Sequence, residues 1–96
     1  MRMYAVYYTY FDPDGDGLKI SFQAGKSSQE VLRKFWKLYQ DEEPPIVEVE
    51  VYLRRAAREA PIDGLDPETF PDSARLTRDL NTGEVVQSWN PPEEKE

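Results

Sequence analysis

Asp12, Asp14 and Asp16 alternate in the stretch FDPDGDGLKISF, and Gly17 follows them in the order a calcium-binding loop uses for its first ligands. Alternate carboxylates in a tight loop can converge on one hard cation, and the glycine provides the sharp bend that brings later ligands round. Counted against that scheme, Leu18 can offer a backbone carbonyl, but Lys19 stands where an apolar residue is usual. Gln23 stands where the closing bidentate glutamate should be, so the strongest ligand is missing. The flanks read as strands and not as the helices of a calcium sensor. No metal is favoured here: Asp, Pro and Gly are the residues that turns select, and a polar hairpin tip accounts for all of them. Calcium at Asp12, Asp14 and Asp16 stays as the lesser reading.

Other chemistry is sparse. The chain has no histidine and no cysteine, which removes the usual general base, the commonest transition-metal ligand and every thiolate. Glu48 and Glu50 project from one strand face and could in principle share acid and base work, but strand alternation puts that face toward water. The serines of GKSS lack both a base and the glycine spacing of a phosphate-binding loop. No enzyme and no cofactor is expected. Lys26, Arg33, Lys34 and Lys37 form a basic helix face with Trp36 beside it, and Arg54, Arg55 and Arg58 a second basic knot. Both read as solvated groups balanced by neighbouring acids, since 19 acidic against 12 basic residues leave a net charge of −7. Direct binding to a phosphate backbone is disfavoured, and a charged partner should be basic.

The elements that must position these groups are legible in the periodicities. Residues 3–11, MYAVYYTYF, are almost all β-branched or aromatic, with apolar or aromatic side chains on both faces, as an interior strand requires. Residues 18–24 alternate Leu18, Ile20, Phe22 and Ala24 against Lys19, Ser21 and Gln23, and DPDGDG joins the two runs as a hairpin tip. From Ser27 the period becomes helical: Ser27 and Glu30 form a capping box, a helix is expected from about residue 28 to about residue 40, and Val31, Leu32, Phe35, Leu38 and Tyr39 share a stripe. Asp41, Glu42 and Glu43 oppose the helix dipole and Pro44-Pro45 ends the helix. IVEVEVYL, residues 46–53, is the clearest strand, with Val47, Val49, Val51 and Leu53 expected inward and Glu48, Glu50 and Tyr52 outward. A long loop follows, with Asp66-Pro67 as a cap for one helical turn. ARLTRDL and EVVQSW, flanking Asn81-Thr82-Gly83, then read as a second hairpin.

Ninety-six residues make one domain. The expectation is a single α+β domain over residues 1–89, with a mainly antiparallel sheet in the order β-β-α-β-loop-β-β along the chain, one helix packed on one face, and a disordered acidic tail at 90–96. No apolar run is long enough for a membrane helix and the N-terminus does not read as a secretory signal, so a cytoplasmic protein with no membrane partner is expected. The sheet face away from the helix should be partly open. Binding is assigned to Tyr8, Tyr10, Asp12, Asp14, Asp16, Trp36, Asp41, Glu42, Glu43, Glu48, Glu50 and Tyr52, which combine aromatic contact area with an acidic rim.

In size and charge, though in no motif, the chain is similar to small phage-encoded inhibitors that mimic nucleic acid or cover its binding surface. That likeness implies a non-enzymatic protein-binding domain acting on a basic surface of a larger protein. Two alternatives stay open: a nucleic-acid-associated module in which Tyr4, Tyr7, Tyr8 and Tyr10 stack bases, and a weakly calcium-stabilised structural domain. A homodimer through an apolar sheet face or an edge strand is open as well.

Overall fold

The computed structural model describes residues 2–11, 17–54 and 71–91. Along the chain run β1 (Arg2–Tyr10), β2 (Gly17–Gly25), α1 (Ser28–Tyr39), β3 (Ile46–Leu53), β4 (Ser73–Arg78) and β5 (Val85–Asn90). The strands form one antiparallel sheet in the order β2-β1-β3-β4-β5. One helix packs on it, which is the α+β architecture expected. β1 lies inside the sheet between the two edges of its neighbours, as its two-faced apolar composition requires.

Alternation along the strands decides which residues meet the helix. Tyr4, Val6, Tyr8 and Tyr10 of β1 point to the α1 side and share it with Val49 and Val51 of β3 and with Ala74 and Leu76 of β4. Val31, Leu32 and Phe35 of α1 complete this core, whose buried members are at most 3% exposed while Tyr8 and Tyr10 pack against it partly buried. Burying a side chain of this size contributes about 1.5–3 kcal/mol, so this layer supplies most of the driving force.

Helix entry is set locally. Ser27 is the N-cap, its Oγ accepting the Glu30 N–H at 3.2 Å, while Glu30 Oε2 accepts the Lys26 N–H at 2.9 Å. Gly25 is buried where a Cβ would stand 2.5 Å from Val31 Cγ2, so only glycine lets β2 pass this close to the helix. At the other end Arg78 of β4 donates to the Gln40 carbonyl at 2.9 Å and lies 4.8 Å from the Trp36 ring centroid. A cation from another element thus offsets the acidic run Asp41–Glu43 at the negative end of the helix.

Four expectations are corrected. Leu38 is 72% exposed, because the rings of Phe35 and Tyr39, 4.6 Å apart, fill the contact with the sheet at that end of α1. Val47 is not the inward residue: the register shifts between Thr9 and Tyr10, so that Tyr10 pairs with Ile46, which is 3% exposed and takes the core position. Tyr52 does lie on the face away from the helix, yet it is buried there against Ala5 and Tyr7. The sheet also extends into the expected tail: β5 runs through Asn90, and the Pro91 carbonyl accepts the Asp72 N–H at 3.0 Å. The second hairpin closes through Asp79 N–H to the Glu84 carbonyl, 2.9 Å, and Gly83 N–H to the Asp79 carbonyl, 2.7 Å, with Gly83 at φ 78. Of the expected long loop only the ends are described, and Asp66, Pro67 and residues 92–96 lie outside the described residues.

One buried carboxylate joins these elements. Asp72, 1% exposed and at φ 53, accepts the Ser28 N–H and the Ser28 hydroxyl, each at 2.9 Å, on Oδ1. Its Oδ2 accepts the Tyr4 hydroxyl and faces Arg2 Nη1 at 3.9 Å. The acid therefore satisfies a free N–H at the positive end of α1, while its partners β1 and α1 are held to the start of β4. Burial and this hydrogen bond push the Tyr4 hydroxyl well above its ordinary pKa. Asp72→Ala should cost about 3–5 kcal/mol of unfolding free energy, because it strands three buried donors. Tyr4→Phe, which removes one donor, should cost about 1–2 kcal/mol. Urea titrations compare the two, and a loss at Asp72→Ala no larger than at Tyr4→Phe would mean that the carboxylate is not the shared anchor.

Candidate docking face

β2 is an edge strand with one apolar and one polar side, and its pairing with β1 decides where each goes. Gln23, Ser21 and Lys19 stand opposite Tyr4, Val6 and Tyr8, on the α1 side. Ala24, Phe22, Ile20 and Leu18 stand opposite Met3, Ala5, Tyr7 and Thr9, on the side away from α1. The apolar side of β2 is thus the wet one. Leu18, Ile20 and Phe22 are 53%, 47% and 56% exposed and Met3 is 42% exposed, a continuous row on one edge. An α-helix is about 10 Å across whereas five strands span about 19 Å, so α1 shields part of one face. Arg54, whose guanidinium carbon lies 5.2 Å from the Phe22 ring centroid, borders the row.

Further in, the face changes character. Tyr7 and Tyr52 meet edge to face with ring centroids 5.9 Å apart. Beside them Tyr52 donates to Glu50 Oε2 at 2.6 Å, and Arg75 Nη2 reaches Glu48 Oε2 at 2.7 Å. Burial, the largest influence, raises the Glu50 carboxyl above its ordinary value and the neighbouring Glu48 charge adds to this, while the Tyr52 hydroxyl works against both. Burial likewise raises the Tyr7 hydroxyl. The result is an apolar strip along β2 and β1 backed by a paired acid–base row on β3 and β4.

The residues assigned to binding from the sequence do not form one site. Glu48, Glu50 and Tyr52 lie on the face away from α1, where Glu48 and Glu50 are engaged by Arg75 and Tyr52. Tyr8 and Tyr10 lie on the opposite face, beside α1. Trp36 is half-buried beneath Arg78, and Asp41, Glu42 and Glu43 are exposed just after α1. Asp12, Asp14 and Asp16 lie outside the described residues, as do Arg55 and Arg58; no cluster of acids suited to a metal ion occurs among the described residues. The four tyrosines of the base-stacking alternative do not form one platform: Tyr4 is fully buried, and Tyr7 points away from Tyr4, Tyr8 and Tyr10. Leu18, Ile20, Phe22 and Met3, which the structure leaves exposed, were not among the residues assigned to binding. The signal for their exposure was the alternation of β2, with one apolar side for α1 or for water to meet.

No helix among the described residues is long and apolar enough to cross a membrane. The chain matches no protein-family model, no curated protein and no solved structure.

The raised Glu50 pKa has a signed consequence. The folded chain holds this proton to higher pH than the unfolded chain does, so stability falls as pH rises from the ordinary value of 4.5 through the folded one. Glu50→Gln keeps an acceptor for Tyr52 and removes that slope. Melting temperatures taken from about pH 4 to about pH 7 should show the variant at least as stable as the parent at neutral pH, the difference shrinking toward acid.

Proposed function

We propose that the protein is a small acidic, non-enzymatic, cytoplasmic protein-binding domain that docks by the face of its sheet away from α1 on the basic surface of a larger protein. The observation that carries this reading is the row Leu18, Ile20, Phe22 and Met3, four large apolar side chains exposed side by side at one sheet edge. Scattered exposed apolar residues are ordinary, but a contiguous row is what interfaces are made of. Each side chain has about half its surface still to lose, worth about 1 kcal/mol apiece on docking. Charge supports the nature of the partner. Glu48 already engages Arg75, and Arg54 lies over Phe22, so the face's own cations are occupied. The chain's excess of 19 acids over 12 bases, including the exposed Asp41–Glu43 run, is left to attract a basic surface. The likeness in size and charge to small phage-encoded inhibitors extends the proposal: the surface covered is one that otherwise holds nucleic acid.

Immobilised protein and its Ile20→Ser/Phe22→Ser variant, matched for melting temperature, provide the test against lysate and then against each purified retained protein. A basic partner whose retention falls at least about tenfold with the double variant, falls further with added salt, and is unchanged by Arg33→Ala on the helix is the outcome expected. Equal retention by parent and variant would sink the reading. So would sedimentation showing a stable dimer that the same double substitution dissociates, since the occupant of the face would then be a second copy of the chain.

A further inference from the structure

On the opposite side of the sheet, where α1 ends, the fold forms a half-open pocket of about 400 Å³. Its walls are the tyrosines Tyr8, Tyr10 and Tyr39, and its rim carries Glu42 and Glu43. The volume is in the range of small-ligand sites. We propose that this cavity is a binding site for an ammonium group on an alkyl chain, of the kind carried by a lysine or methyl-lysine side chain.

Three observations support the assignment. The rings are held in place: Tyr8 and Tyr39 pack on either side of Phe35, with centroids 4.9 Å and 4.6 Å from it, so two walls are fixed by the core before any ligand arrives. The tip of the third ring, Tyr10, lies against Gly17, where a Cβ would come within 2.1 Å of its Cζ, so any larger residue at 17 would push the ring aside. Tyr10 already carries a cation, since Lys19 Nζ sits 5.4 Å from its centroid. An ammonium is attracted to the negative face of such a ring, and more strongly where carboxylates stand near and water is partly excluded. Glu42 and Glu43 against Lys19 leave the lining net negative. The Lys19 ammonium is then the resident occupant, on an exposed and flexible stem, that an incoming ammonium displaces.

The site faces away from the β2 row and does not rest on the docking proposal, so either can fail alone. Its test is an NMR titration of the full chain with Nα-acetyl-trimethyllysine methylamide and with the neutral isostere in which carbon replaces the quaternary nitrogen. The ring protons of Tyr8, Tyr10 and Tyr39 should shift saturably with the cation, at least about tenfold more tightly than with the isostere. Lys19→Met, which removes the resident cation from an exposed position, should tighten the cation about threefold or more, and Glu42→Gln/Glu43→Gln should loosen it by a similar factor. Gly17→Ala, which drives the Tyr10 ring out of place, should abolish saturation while the far-side Tyr7 signals stay put. Equal response to the neutral isostere, absence of saturation up to about 50 mM in both the parent and Lys19→Met, or tightening by Glu42→Gln/Glu43→Gln would overturn the assignment.

Discussion

The hydrogen bonds of the Asp72 carboxylate are the constraint on which the rest of the structure depends. A carboxylate taken out of water loses several kcal/mol of solvation and survives only if its oxygens are fully engaged. Here the engagement comes from far along the chain: the Tyr4 hydroxyl from β1 and the backbone N–H and hydroxyl of Ser28 from the first turn of α1. The same residue's own N–H is bound by the carbonyl of Pro91, just beyond β5. Asp72 adopts φ 53, a region that aspartate tolerates better than most residues, and β4 leaves this point already aligned with β3. Helix start, sheet interior and the end of the last strand are thus tied at one buried acid.

That tie places α1 over β1, β3 and β4 and so makes the two faces of the sheet unequal. On the helix side the apolar side chains interlock, and where the helix runs out the tyrosines are left lining a cavity instead of filling it. On the other side no helix among the described residues covers the sheet, and stability comes from Tyr7 on Tyr52 and from the Arg75–Glu48 pair, interactions that rigidify but do not shield the edge. Exposed apolar area therefore accumulates on β2, at the edge where a partner can reach both side chains and open backbone groups.

Much of this was legible in the residues. Alternation located the strands β2 and β3, the Ser27–Glu30 pair marked the helix start, Pro44-Pro45 marked its end, and the turn residues at 79–84 joined the last two strands. The misses share a cause. Leu38 and Val47 had the right period but lost their core positions to a neighbouring ring and to a bulge, both of which depend on a second element. Asp72 carries no local signal, since an aspartate after Phe-Pro reads as a loop residue until Tyr4 and Ser28 are brought beside it. Binding was assigned to tyrosines and acids, whereas the exposed row of β2 is aliphatic and aromatic, in a strand whose pattern is that of ordinary core.

By itself, then, the sequence determined the elements, their order, the class of fold and the sign of the charge. These follow from backbone stereochemistry and from side-chain period, which act over a few residues. It also determined that β2 has an apolar and a polar side, but not which of them meets water. Only the tertiary structure decided that, because the answer rests on the register of β2 against β1 and on α1 lying over the Tyr4 face. The buried Asp72 drew α1 to that side, and Leu18, Ile20 and Phe22 were left in solvent on the other.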